Sequence, residues 1–379
     1  MPEGPRASIL RRVEVPEVEV VNCHAFSNDE QLLALCPNTE DILVLRREGE
    51  EYKRTHVLSK HTQRVTGLAW SCDLRLASCA EDRTAFVWEW DRAAGCWRSV
   101  LVELRAPRAA LCVAWAPNGA RFAVGLASRD AAVCYYEAQV QCWVALKVGR
   151  SKAAVTAVAW HPTSQYLATG STDRRCVVYD VNEQTMLPPQ KPFGDPQVSE
   201  DAGAWVNAVA FSPKGQYLAF LGQDATCRLK DLAGGPESAV TVLRWRGLPF
   251  LRGVFLNERS LVACGFDCAP VLFRHSGGQW EVHGRIDAAG AAPSAGLAAP
   301  TATRESFNEA RSRFRGSTSG AGGAAAAGAS STPKGGAGPP AWHSNTITGC
   351  SLLSSAPGAP PRFATSGLDG QVIVCELSA

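Results

Sequence analysis

Net charge is almost absent from this sequence: 38 Lys and Arg against 36 Asp and Glu leave only +2 over 379 residues. That balance lacks the broad basic footprint of a nucleic-acid binder. Long apolar runs are missing too. The opening MPEGPRASILRRVEV holds none of signal-peptide length, and no segment approaches the roughly 18 apolar residues of a membrane span. No Asn-x-Ser/Thr acceptor occurs anywhere. Cysteine is plentiful, with 14 residues, but the spacing of a metal site is lacking. Cys264 and Cys268 have no matching second pair, and the others are scattered singly, mostly in apolar runs (Cys112, Cys134, Cys176, Cys227, Cys375). Buried free thiols in a reducing, intracellular compartment are the expectation, with no metal and no cofactor.

What the sequence does contain is a repeat. A β-rich run ending in an aromatic is followed by a turn, a small-residue strand, a turn with an Asp, and a hydrophobic strand. The clearest copies are 65–89, 155–180 and 206–231, with weaker ones at 111–137 and 251–273. Two more stand at the ends, 23–45 and 347–377. Six positions separate the turn Asp from the residue closing the third strand in five copies: Asp82 to Trp88, Asp173 to Tyr179, Asp224 to Lys230, Asp267 to Phe273 and Asp369 to Cys375. A four-stranded blade cannot bury both faces alone, so such units stack radially around a shared core. At roughly 40–45 residues per blade, seven blades account for most of the chain. The fold expected is therefore all-β, a seven-bladed WD-repeat β-propeller forming a single domain over 1–379.

Only the second repeat carries a complete set of His61, Ser78, Asp82 and Trp88, which predicts a hydrogen-bonded chain across one blade. A catalytic reading of His61, Ser78 and Asp82 is disfavoured, because no nucleophile-elbow glycine pattern surrounds Ser78. No catalytic residue is assigned. Elsewhere the set decays, and Lys230 stands at the tryptophan position.

Polar–aromatic stretches at 51–58, 96–104, 142–148 and 279–286 read as outermost strands. The alternating segment 8–21 has no blade of its own. It is expected to supply the outer strand of the seventh blade and close the ring, since closure removes sheet edges. Between blades six and seven, 288–342 reads as a flexible insertion; its Gly/Ala-rich part follows no strand and lacks a phosphate-loop ending. Inside it, a short amphipathic helix is predicted near 303–315, with Phe307, Ala310 and Phe314 on one stripe beside Arg304, Arg311, Arg313 and Arg315. Tethered without a core, it reads as a recognition element for an acidic partner or as a segment packed back on the rim.

These segments resemble one family, the WD-repeat subunit (subunit 1) of the actin-related protein 2/3 complex. The resemblance runs from about 18 to 377. It rests on CHAF and CPN, HTQRVTGLAW, EDRTAFVWE, RAALCVAWAPNGARFAVG, WHPTSQYLATGSTD, PFGD, WVNAVAFSPKGQYLA, GFDCAPVLF and GRIDA, in the family's order. It implies a non-catalytic scaffold subunit supporting nucleation of branched actin filaments in the cytoplasm, at the actin cytoskeleton. Its implied partners are the other subunits, including the actin-related proteins, and the actin filament. The family's protruding helix is implied to contact the mother filament; that role falls on Arg304, Glu305 and Phe307, with Arg311 and Phe314 beside them. The longer N-terminus and the Ala/Gly tether depart from the family. The rival readings are a WD-repeat substrate adaptor for another machine, such as a ubiquitin ligase, and a propeller enzyme with a metal in its channel. The last lacks any recurring acidic or histidine cluster.

Overall fold

The computed structural model describes residues 5–149, 151–182, 193–235, 237–288, 342–353 and 358–378. They form one compact unit of seven sheets, and no helix occurs among the described residues. Six of the sheets are four-stranded antiparallel blades whose strands follow in sequence order from the inside out; the seventh is built from both ends of the described chain. The seven innermost strands are Cys23–Phe26, Val65–Trp70, Ala110–Trp115, Val155–Trp160, Val206–Phe211, Phe250–Asn257 and Ile347–Leu353. Each touches the next around the ring, and the seventh touches the first.

Burial follows from radial stacking. Second strands such as Leu76–Ala80, Arg121–Leu126 and Ser260–Gly265 are buried at every position, because a neighbouring blade covers each face. Outermost strands such as Glu51–Ser59 are mostly exposed, burying only Tyr52 and Leu58, as strands covered on one side do. The buried apolar clusters bridge blades rather than fill them. One joins Ala77, Val87 and Trp115 with Phe122 and Val124; another joins Val372 and Val374 of the last blade with Phe26, Leu33 and Leu45 of the first. An isolated blade would lose both partners, which makes the ring the cooperative unit.

The outer strand of blade seven comes from the N-terminus. Arg6–Glu14 pairs antiparallel with Gln371–Leu377, from Ala7 opposite Leu377 to Glu14 opposite Gln371, with a register shift between Ile9 and Arg11. The strand is thus shorter and earlier than the segment 8–21. It stops where Val18 N–H donates to the Val15 carbonyl and Pro16 removes a ladder donor. Asp287–Ala288 adds a short parallel pairing on the far side of this strand. Two further outermost strands, Asp195–Asp201 and Val240–Arg244, were not among those read from polar–aromatic patterning.

Candidate functional site

Blade two holds the predicted chain of polar side chains in bonded order. His61 Nδ1 lies 2.9 Å from Asp82 Oδ2, and His61 Nε2 lies 2.8 Å from Ser78 Oγ. The carboxylate can only accept, so Nδ1 carries the proton and Ser78 donates to Nε2. Trp88 Nε1–H in turn donates to Ser78 Oγ at 2.9 Å. Burial pushes the His61 pKa down against the opposing pull of Asp82. Asp82 feels burial raising its pKa, but hydrogen bonds from Thr84 and the Thr62 N–H outweigh it and hold the carboxyl below its ordinary value. The order Ser–His–Asp is that of a hydrolase triad, but Ser78 is 0% exposed. Its oxygen is occupied by an indole N–H, so no substrate atom reaches it.

The turn Asp does the same work in other blades. An Asp that accepts the N–H two residues on closes a tight turn and lets the intervening residue take positive φ. Thr84, Arg175, Thr226 and Gln371 donate such bonds to Asp82, Asp173, Asp224 and Asp369. The residues between them, Arg83, Arg174, Ala225 and Gly370, all have φ between 58° and 77°. Asp173 also accepts the Lys152 N–H, and Asp224 is bridged by Arg228 at 2.9 Å. Asp267 accepts the Leu248 N–H and the Trp245 indole N–H.

A second histidine chain escaped the sequence reading. In blade seven His343 Nδ1 lies 2.8 Å from Asp369, and Nε2 lies 2.9 Å from Thr365 Oγ1. The spacing from His343 to Asp369 is longer than from His61 to Asp82, because this blade has a longer connection before its second strand. The retained signal is the interval of four from Thr365 to Asp369, equal to that from Ser78 to Asp82. At the tryptophan position of blade five, Lys230 is 1% exposed and bonds Glu200 of blade four at 2.7 Å and the Ser238 carbonyl at 2.8 Å. The lost indole is thus replaced by an ion pair between blades.

The inner ring is stitched by a second set that was also missed. Asn22, Thr66, Asn207 and Thr348 each donate a side-chain hydrogen bond of 2.7–2.8 Å to the next blade, at the carbonyls of Val65, Ala110, Phe250 and Val21. Thr156 makes the same bond to Val206. The signal is an apolar residue followed by Thr or Asn at the start of the inner strand, as in VN at 21–22 and VT at 65–66. Four of the five, Asn22 excepted, sit at a register shift, where the bulged residue is free to turn toward its neighbour. Blades three and six have Leu111 and Leu251 there.

Inside this ring runs a channel of about 240 Å³, lined by innermost-strand residues from all seven blades. His24 lies on its wall, with Nδ1 2.7 Å from Ser366 Oγ and Nε2 2.9 Å from Ser351 Oγ. Burial, with smaller contributions from the charges of His343 and Arg252, lowers its pKa to about 3. Close packing at this seam requires Gly349, where a Cβ would stand 2.5 Å from His24 Nδ1. No cluster of three His, Cys, Asp or Glu side chains suited to a metal occurs among the described residues. Nor is any described helix long and apolar enough to cross a membrane. No disulfide joins any of the 14 cysteines. The proposed partner contacts Arg304, Glu305, Phe307, Arg311 and Phe314 lie outside the described residues, as does the helix expected to carry them.

Comparison with known proteins agrees with this architecture. The WD domain, G-beta repeat model matches residues 52–89, 144–180 and 197–231. The chain is 33% identical over 374 residues to actin-related protein 2/3 complex subunit 1A of Arabidopsis thaliana, covering 95% of this chain and 94% of the relative. It is 30% identical over 373 residues to subunit 1A-A of Xenopus laevis, with 95% of each covered. With subunit 1 of Schizosaccharomyces pombe it shares 30% identity over 372 residues, covering 93% of this chain and 96% of that one. Identity at this level along a whole seven-bladed ring leaves one conclusion: the chain belongs to the subunit 1 family of the actin-related protein 2/3 complex.

Proposed function

We propose that this chain is a non-catalytic scaffold subunit of an actin-related protein 2/3 complex, acting in the cytoplasm at the actin cytoskeleton to support nucleation of branched filaments. The observation that carries this is end-to-end similarity to relatives bearing that complex's name, in plants, a vertebrate and a fungus. The fold suits the role. A closed ring with stitched blades offers a stiff rim and two faces of loops, and its Ser–His–Asp arrangement is sealed inside a blade. The finer part of the proposal assigns the segment near 303–315 to the mother filament, through Arg304, Glu305 and Phe307 with Arg311 and Phe314 alongside.

Two measurements test it. Affinity purification of the full chain is expected to recover the actin-related subunits; recovering cullin-type machinery without them sinks the scaffold assignment and favours an adaptor. Phe307→Ala is expected to leave assembly intact and reduce branch formation. Normal branching with that variant removes the segment from the mechanism.

A further inference from the structure

One charged side chain breaks the character of the central channel. Each inner strand places one residue at a common level, fixed by its pairing with the second strand. Six of these are small: Cys23, Gly67, Cys112, Ala157, Ala208 and Gly349. In blade six the residue at that level is Arg252, opposite Cys264. The small side chains leave the space that the guanidinium and the channel volume share.

Arg252 is half-buried and unbalanced. Among the described residues its guanidinium makes one hydrogen bond, to the carbonyl of the adjacent Leu251 at 2.9 Å, and no ion pair. Among the described residues no Asp or Glu lines the channel. His24, the other ionisable base on the wall, is neutral near pH 7 because its pKa lies at about 3. The Arg252 charge is felt across the ring: it weakly opposes the rise that the Cys36 hydrogen bond and burial give Cys23 and that burial gives Cys112, and adds a little to the lowering that burial gives His24. A guanidinium withdrawn from bulk water with no carboxylate beside it has a large unmet demand for an anion. Its planar fork of N–H donors matches two oxygens of one anion, which a spherical halide cannot reproduce. The inner edge of every blade is also unpaired within its own sheet, so backbone groups face the same space.

We propose that the channel is a binding site for a small free oxyanion of the phosphate class, held by Arg252 at the level where the other six blades carry only small side chains. This site is independent of the role in actin nucleation, and its test does not depend on that role.

The test is a titration of the purified full-length chain with inorganic phosphate at constant pH and ionic strength, chloride replacing phosphate in the control. Binding is read by ³¹P line broadening and by the rise in melting temperature. A saturable effect is expected in the wild type, absent from chloride, and lost in Arg252→Met. Arg252→Lys keeps the charge but not the fork and is expected to bind several-fold more weakly. It also serves if the Met variant fails to fold. Saturation in Arg252→Met equal to the wild type, unchanged affinity in Arg252→Lys, or no effect beyond chloride in the wild type each overturns the proposal.

Discussion

Thr348 donates its hydroxyl hydrogen to the Val21 carbonyl at 2.7 Å, tying the last blade to the first at the place where the two ends of the chain meet. Around it, Arg362 forks onto the buried carboxylate of Glu30 with bonds of 2.8 and 3.2 Å. The Val21 N–H bonds the Gly367 carbonyl. Elsewhere in the ring the covalent chain runs from one blade to the next; here non-covalent contacts hold it, among them the pairing of Arg6–Glu14 with Gln371–Leu377 and the apolar cluster shared by the two blades. Thr348→Val removes this hydrogen bond and the longer one to the Ser366 carbonyl, at 3.3 Å, at nearly constant volume. It is expected to cost about 1–2 kcal/mol, measured by denaturant unfolding. A cost under about 0.3 kcal/mol would show that the stitch is dispensable.

Removing residues 1–14 tests the seam more severely. The truncation strips Ala7 and Val13, which are 0% and 4% exposed, and opens the ladder edge of Gln371–Leu377. An unpaired edge strand invites pairing between molecules. The expected outcome is a lower melting temperature together with self-association in size-exclusion chromatography. An unchanged melting temperature would refute closure by this strand.

Ser78→Ala probes the blade-two chain. The variant leaves the Trp88 indole N–H and the His61 Nε2 buried without their partner, at about 2–4 kcal/mol for the two groups. Thr365→Ser, which keeps the hydroxyl in the blade-seven chain, is expected to cost well under half as much. If the two variants destabilise equally, the hydrogen bonds are not what the hydroxyls contribute.

Much of this architecture is written in the sequence, for a physical reason. Most blades repeat the same demand, an inner strand ending in an aromatic in blades one to five and an Asp closing a turn in blades two, four, five and seven, so Asp82, Asp173, Asp224 and Asp369 are found by spacing alone. The outer strand Asp195–Asp201 is not, because DPQVSED has neither alternation nor strand propensity; its ladder with Arg175–Asp180 makes it a strand, and Pro196 is tolerated because the edge is outermost. Lys230 read as decay of the motif, since its partner Glu200 lies on another blade. Arg252 was invisible for a related reason. Within its own strand it is one polar residue in an apolar run. Its isolation appears only when seven strands are set side by side around the channel.

The pH dependence of stability follows from His24. Its pKa is lowered in the folded ring, chiefly by burial, to about 3, whereas the unfolded chain titrates near 6.5. Folded protein therefore binds fewer protons than unfolded protein throughout that interval. Stability is fully present above pH 6.5 and is lost as pH falls toward 3, at up to roughly 1.4 kcal/mol per pH unit from this one group. His61, also lowered by burial, adds to the same window. Asp82 and Asp369 have depressed pKa values, so their contribution is lost only at still lower pH, as it falls through the folded carboxyl range. His24→Gln keeps an amide able to meet Ser366 or Ser351 but cannot take up a proton. Between pH 6.5 and 4.5 its unfolding free energy is expected to decline more gently than the wild type's by about one proton's slope. Identical slopes in the two proteins would mean that His24 is protonated in the folded ring.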